Sequence, residues 1–407
     1  MKIAVIGAGL GGLLAAAALS KEHDVRVFEQ LDMYGGRFTN LPYKGFQLST
    51  GAFHMIPHGP TGPLAQLLKQ VGAKVEIVKS DVQATWMSKD NRQVPFMGFK
   101  EILSPAAQAK APVAILKLMG LKKGTAADIA LHDPEIIRLA DSACGWALSM
   151  TAANTPAAEV VTILKNIQKY GTPGVPIGGC GGVVDALARV IGNRDGQVVL
   201  GSKVDSVRVE DGRATGVTVN GETFPADLVI SNIGHQLTAG LYDRRYLEPK
   251  YAAVLGKLRP SAGIKICLAA EEPLVGHNGV LFTPFTSRVN GINEVTHIDP
   301  SLAPEGMHLT MSHQTMLTGD VQDEIRLGLQ DLKNLFPGKK YSVLMVQSYR
   351  DDWPVNRVAS GYDLGNLTPV KGLFVVGDGA KGHGGIEVEG VALGVQNALD
   401  LIRKAYS

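Results

Sequence analysis

Short apolar runs closed by glycine alternate along this chain with stretches of helical period. The first run, Lys2–Ile6, leads into Gly7-Ala-Gly-Leu-Gly-Gly12, then an Ala/Leu stretch with no polar face, then Asp24–Glu29. The pattern predicts strand, glycine turn, buried helix and second strand ending in a carboxylate. Further apolar alternation predicts strands at Tyr43–Ser49, Lys74–Val78 and Val82–Met87, and a helix over Leu64–Val71 that Gly72 closes. Residues 102–169 read as mostly helical, with Asp133-Pro134 starting one helix. A helix over Val183–Ile191 follows a glycine-rich turn. Strands are expected at Gln197–Leu200, Lys203–Glu210, Ala214–Val219 and Pro225–Ser231, joined in part by hairpin turns at Asp211-Gly212 and Asn220-Gly221. A mixed block then carries strand-like Ile264–Ala269, Val280–Thr283, Glu294–His297, His308–Ser312 and Tyr341–Tyr349, and a charged helix over Asp320–Leu335. The last strand, from Leu373, runs into Gly377-Asp378-Gly379, and a helix spans Glu387–Lys404.

Each part of the opening motif has a physical task in holding a dinucleotide. Gly7 permits the tight turn, Gly9 lets backbone approach a pyrophosphate, and Gly12 lets helix and strand pack closely. The helix N-terminus offers free N–H groups and partial positive charge to phosphate, with Leu10 and Gly11 in its first turn. Glu29 at the end of the second strand is placed for ribose hydroxyls, with Gln30 beside it. Gly35-Gly36-Arg37 can wrap a phosphate with backbone N–H groups and one guanidinium. Gly51-Ala52-Phe53 marks another close backbone approach.

The fold class that results is α/β: a discontinuous Rossmann-like cofactor domain built from residues 1–95, 175–234 and 355–407. Residues 96–174 and 235–354 form an inserted mixed α+β substrate domain with a helical segment. A chain of 407 residues is long enough for two or three domains. Its net charge of +2 provides no field for nucleic acid, and no basic run is interleaved with aromatics. Three dispersed cysteines form no disulfide framework, which suits a reducing cytoplasm. No metal site is expected. His54 and His58 have helical ligand spacing, but Pro57 and Gly59 break the helix; His308 and His313 would face opposite sides of a strand. No apolar stretch reaches the ~20 residues of a membrane span. Ala111–Leu121, flanked by Lys110, Lys122 and Lys123 and containing Lys117, could instead rest on a membrane surface, although Pro112 weakens it.

Taken together and in this order, these motifs resemble the FAD-dependent amine oxidase and phytoene desaturase superfamily, with prokaryotic phytoene-dehydrogenase-related proteins the nearest likeness. The resemblance implies bound FAD. It implies an adenine contact from the backbone of Val204, a ribityl–phosphate contact from Asp378 next to Gly377, and a helix start at Gly385-Ile386 facing the flavin pyrimidine. It also implies a proton role for His54 beside the flavin, and for Lys265 a water bridge to flavin N5 as in amine oxidases. A loop histidine and a solvated strand lysine are the plain alternatives. Trp353 resembles an amine-oxidase cage aromatic or serves as a core or hinge tryptophan. Trp146 either lines a tunnel or packs a core. Glu387 is a departure from the small residues usual there, and either lines the substrate pocket or caps the last helix. There is no second GxGxxG in mid-chain, so no dedicated NAD(P)H domain is expected, and electrons would pass to or from an external carrier. The implied activity is hydride transfer between an apolar, isoprenoid-like substrate and flavin N5. An amine oxidase is the alternative, as is a non-catalytic prenyl-binding protein of the GDP-dissociation-inhibitor type.

Overall fold

The computed structural model describes residues 1–406. Five parallel strands form the central sheet, in the order 373–375, 228–231, 2–6, 24–28 and 197–199. Parallel strands need crossovers and bury both faces. Accordingly Ile3, Val5, Val25 and Val27 are almost wholly buried on one face, and Ala4, Ile6 and Val229 on the other. Helices Leu10–Leu19, Pro63–Val71, Gly179–Gly192 and Glu387–Tyr406 close one face, in a core shared by Leu13, Leu64, Leu187 and Val395. The other face carries an antiparallel sheet of Val204–Glu210, Arg213–Val219 and Glu222–Pro225. Its tight turns have left-handed backbone at both central residues, Asp211-Gly212 and Asn220-Gly221, as two-residue hairpins require.

A seven-stranded sheet builds the second half of the molecule, in the order 342–349, 263–270, 308–315, 289–294, 280–282, 84–87 and 93–95. One face packs on helix Val321–Leu335, started by Asp320, whose carboxylate accepts the N–H groups of Gln322 and Asp323. The other packs on helices Pro105–Leu118 and Pro134–Leu148, with Ala126–Ile129 and Ala157–Tyr170 stacked on those helices.

Three expectations need correction. Residues 84–95 pair with Val280–Phe282 and so belong to the large sheet, not to the cofactor sheet implied by a boundary at residue 95. Tyr43–Ser49 is not one strand, because left-handed Lys44 and Gly45 fold it into a hairpin of 40–43 against 46–49. Glu294–His297 is not a strand either. The Glu294 carboxylate takes the N–H groups of Leu274 and Val275, and the chain turns there into a 3₁₀ turn over 295–297.

That turn gathers Glu294, His297 and His308, with Glu294 Oε1 3.0 Å from His308 Nδ1 and 3.4 Å from His297 Nε2. Sequence spacing did not reveal this cluster, because its members meet only through the turn and the neighbouring strand. None of the three lines the central cleft. Among the described residues no helix is long and apolar enough to cross a membrane. Helix Pro105–Leu118 and its continuation do expose Val113, Leu116 and Met119, the last two at 68%.

Candidate active site

A cleft of about 570 Å³ opens where the C-terminal ends of the parallel strands meet the second domain, the usual ligand position in such sheets. Its floor is the glycine turn. Gly7 takes a left-handed conformation (φ +90°), and Gly9 caps helix Leu10–Leu19 without a side chain, so first-turn N–H groups are left open. The glycines are a cradle that side chains would fill. A Cβ on Gly11 would stand 2.7 Å from the backbone of Gly377, and one on Gly12 would collide with Gly7 O.

Charged groups line the walls. The Arg37 guanidinium donates to Pro354 O (2.6 Å), Val355 O (2.8 Å) and Asp378 Oδ2 (2.7 Å). The same oxygen accepts the Arg357 N–H at 2.7 Å, which leaves Oδ1 available. Burial alone would raise the Asp378 carboxyl; Arg37, Arg357 and Lys381 outweigh it and hold the group below its ordinary value. Arg357 Nε is buried with no partner. An orphaned cationic donor in the same cleft as a side-chain-free helix N-terminus is what an anionic diphosphate fits.

Most residues expected at the cofactor line this cleft: Gly7, Gly9, Leu10, Gly11, Glu29, Gln30, Gly35, Gly36, Arg37, Gly51, Ala52, Phe53, Val204, Gly377 and Asp378. The Glu29 oxygens already accept the N–H groups of Ala8 (2.7 Å) and Leu31 (3.0 Å). A carboxylate has about four acceptor positions, so a diol can still be bound. Gly12 lies behind the turn and packs it. Gly385 and Ile386 do not reach the cleft. A Cβ on Gly385 would collide with Gly390, and Ile386 is 6% exposed among Leu148, Met150 and Ile163.

Sequence reading missed Asn232, Arg357 and Tyr349. Asn232 follows the strand 228–231, and the missing Cβ atoms of Gly9, Gly11 and Gly377 all point at its amide. Its one signal was its place after the carboxyl end of a parallel strand.

The two residues assigned proton roles have other tasks. His54 is wholly buried; its Nε2 bonds Gln47 O (2.8 Å) and its Nδ1 accepts the Cys180 N–H (3.0 Å). Burial lowers it to about 4, so the ring is neutral with both nitrogens engaged, tying the 51–55 loop to helix Gly179–Gly192. Lys265 does point inward, opposite to Ile264 and Ile266. Its Nζ, however, donates to Ser49 O (2.5 Å), Ser49 Oγ (2.8 Å) and Gly51 O (2.6 Å). An ammonium has three donors, and all are used. Burial lowers Lys265 to about 8. Neither side chain lines the cleft.

Lys265→Met is therefore expected to loosen the 49–51 turn that forms a cleft wall. Each buried acceptor left unpaired costs about 1–3 kcal/mol, partly offset by removing a buried charge. Thermal melting and flavin content should both fall, and retention of both at wild-type levels would remove this positioning role.

Trp146 stacks on Phe53 (4.9 Å between rings) and meets Phe282 edge-on (5.9 Å). It continues the packed aromatic core and does not wall a tunnel. Trp353, 37% exposed, stands in the cleft wall near Tyr349, and Glu387 lines the same cleft.

Residues 135–398 match the sequence profile described as flavin containing amine oxidoreductase, and residues 5–71 match that of an NAD(P)-binding Rossmann-like domain. The chain belongs to the flavin-containing amine oxidoreductase family. It is an FAD-dependent oxidoreductase, which sets aside the non-catalytic alternative.

The crystal structure of an oxidoreductase from Methanosarcina mazei is similar, at 50% identity, 98% coverage of this chain and 100% of that one, with a TM-score of 0.93. An uncharacterized protein of Methanocaldococcus jannaschii is 45% identical over 99% of both chains. A prolycopene isomerase of Daucus carota is 26% identical over 98% of this chain and 80% of its own.

Within this family member, Arg37, Arg357 and the glycine turn would hold the FAD pyrophosphate, Glu29 and Val204 the adenosine end, and Asp378 the ribityl side. The bound flavin supplies two-electron, hydride-accepting chemistry. The protein supplies orientation, charge and exclusion of water.

Proposed function

We propose that this FAD-dependent oxidoreductase adds or removes hydrogen across a carbon–carbon bond of an apolar, isoprenoid-like chain. The observation that carries the reading is the hydrogen bonding of Lys265. An amine-oxidase relay needs a lysine donor free for a water beside the flavin, and here all three serve Ser49 and Gly51. The cleft also lacks a pair of facing aromatics; Tyr349 ties its hydroxyl to Thr50 O and Gly51 O, and Trp353 stands without an aromatic partner. Likeness to a prolycopene isomerase supports the isoprenoid class of substrate. So does the exposed ridge Val113, Leu116 and Met119, with Lys122 and Lys123 at its end, which suits a peripheral contact with an anionic membrane where such substrates reside.

The test is anaerobic. FAD-loaded protein is mixed with phytoene in anionic phospholipid vesicles, with lycopene in the same vesicles after prior photoreduction, and with putrescine or benzylamine. A polyene should bleach the oxidised flavin or reoxidise the reduced one, and the amines should do neither. Bleaching by an amine with no response to either polyene would overturn the reading in favour of an amine oxidase.

A further inference from the structure

We propose that Glu387 is the proton carrier of this active site. Its carboxylate takes the proton that one substrate carbon loses while the neighbouring carbon gives up its hydride to the oxidised flavin.

Glu387 opens the last helix with a left-handed backbone, φ +40°. Such a conformation in a residue with a side chain costs about 1–3 kcal/mol and persists only where the surroundings impose it. Here they do. Immediately before it, Ile386 is locked among Leu148, Met150, Ile163 and Ala359. The Gly384 carbonyl is held by Asn166 Nδ2 at 2.8 Å. Two residues on, Glu389 is wholly buried and accepts the N–H groups of His58 (3.0 Å) and Leu64 (2.8 Å). With both flanks pinned, the Glu387 side chain is delivered to the cleft wall.

It arrives there without a partner. Glu387 Oε1 is buried and accepts no hydrogen bond. The cations that face it are committed elsewhere. Lys381 Nζ donates to Val358 O and Asp378 O and pairs with Asp363 at 3.2 Å. Arg37 turns three of its five N–H groups to Pro354, Val355 and Asp378 and donates none to Glu387. The Tyr349 hydroxyl is turned to Thr50 O and Gly51 O, and burial pushes the Cys180 thiol up, toward its neutral form. The contrast with Glu389 separates the roles. One carboxylate ties the N–H of His58 to that of Leu64 in the first turn of helix Pro63–Val71, and the other is left free in the cleft. Burial, only partly countered by Lys381 and Arg37, raises Glu387 to about 7, where an acid–base group exchanges protons most readily near neutrality.

This inference rests on the carbon–carbon reading above. In the forward direction two C–H bonds break and one C=C bond forms. One hydrogen leaves with its electron pair as hydride to the oxidised flavin, and the other leaves as a proton to the Glu387 carboxylate. The resulting acid returns that proton to water. In saturation the acid protonates one carbon and the reduced flavin supplies hydride to the other.

The test compares FAD-loaded wild type with Glu387→Gln and Glu387→Asp. All three should retain flavin, because no pyrophosphate contact is touched. In the wild type the midpoint potential of the flavin should steepen against pH near 7 beyond the change of slope that the reduced flavin's own ionisation gives, as electrons entering the cleft raise the proton affinity of a neighbouring carboxylate. Glu387→Gln should lose that added steepening and Glu387→Asp should keep it, displaced. With phytoene in anionic vesicles, anaerobic bleaching by Glu387→Gln should be slower by about 10²–10⁴-fold, the usual span for general acid–base catalysis. A potential–pH profile of Glu387→Gln that coincides with that of the wild type, or bleaching by that variant at the wild-type rate, overturns the proposal. If no polyene bleaches even the wild type, the substrate reading fails while the potential measurement still decides Glu387.

Discussion

Gly9→Val should yield a folded but colourless protein. The Cβ introduced at this position would meet only Asn232 Nδ2, at 2.5 Å, the far end of a side chain that can turn aside. The valine methyl groups then occupy the space above the helix N-terminus that a pyrophosphate must enter. Overpacking of about 1–3 kcal/mol and loss of one charged hydrogen bond of about 1.5–3 kcal/mol combine to weaken FAD binding by roughly 10²–10⁴-fold. Flavin absorbance and FAD titration measure this, while far-ultraviolet circular dichroism should match that of the wild-type apoprotein. Gly11→Val makes the contrast, since its Cβ would lie 2.7 Å from the Gly377 backbone, which cannot turn aside. That variant should lose fold and flavin together. A yellow Gly9→Val protein with wild-type flavin content would show that the cleft floor is not the pyrophosphate site.

Asp378→Ala should have the largest effect on stability among the charged residues of the cleft. The Arg37–Asp378 pair is 2.7 Å long, with both side chains less than a fifth exposed. Removing the carboxylate leaves two mutually repelling arginines without the counter-charge they share, and the main-chain N–H of Arg357 loses its acceptor. Breaking such a pair costs about 3 kcal/mol, at the low end of the buried range because the site is partly open. The sign of the pH dependence follows from the depressed carboxyl. The wild-type contribution is fully present above the unfolded value of about 3.9 and is lost as pH falls through the lower folded value. The difference in denaturant midpoint between wild type and Asp378→Ala should therefore be constant near neutrality and shrink only in strong acid. An unchanged midpoint at pH 7 would mean that the pair contributes nothing.

Much of the cofactor half was legible in the chain because its determinants are local. A glycine turn between a buried strand and a buried helix, and a carboxylate at the end of the next strand, are set by backbone sterics and hydrogen-bond needs within about 30 residues. The same holds for the hairpins at Asp211-Gly212 and Asn220-Gly221, where only residues that tolerate left-handed backbone fit. Helix starts at Asp133 and Asp320 were readable for the same reason, since a side-chain oxygen satisfies N–H groups two and three residues on.

Tertiary structure alone decided what those elements do to distant side chains. His54 and Lys265 are polar residues in apolar surroundings, and sequence offered each a catalytic or a plain role. The fold gave them neither a solvated nor a reacting environment. Burial demanded partners, and the partners, Cys180 N–H for one and the Ser49 and Gly51 oxygens for the other, come from 126 and more than 200 residues away. Strand 84–87 changed sheets because its pairing with Val280–Phe282 is a long-range contact that alternation cannot encode. Glu387 shows both limits at once. The chain displayed a carboxylate at the turn into its last helix. Only the packing of Ile386 and Glu389 on either side shows that this carboxylate is held, strained and unpaired, in the wall of the cleft.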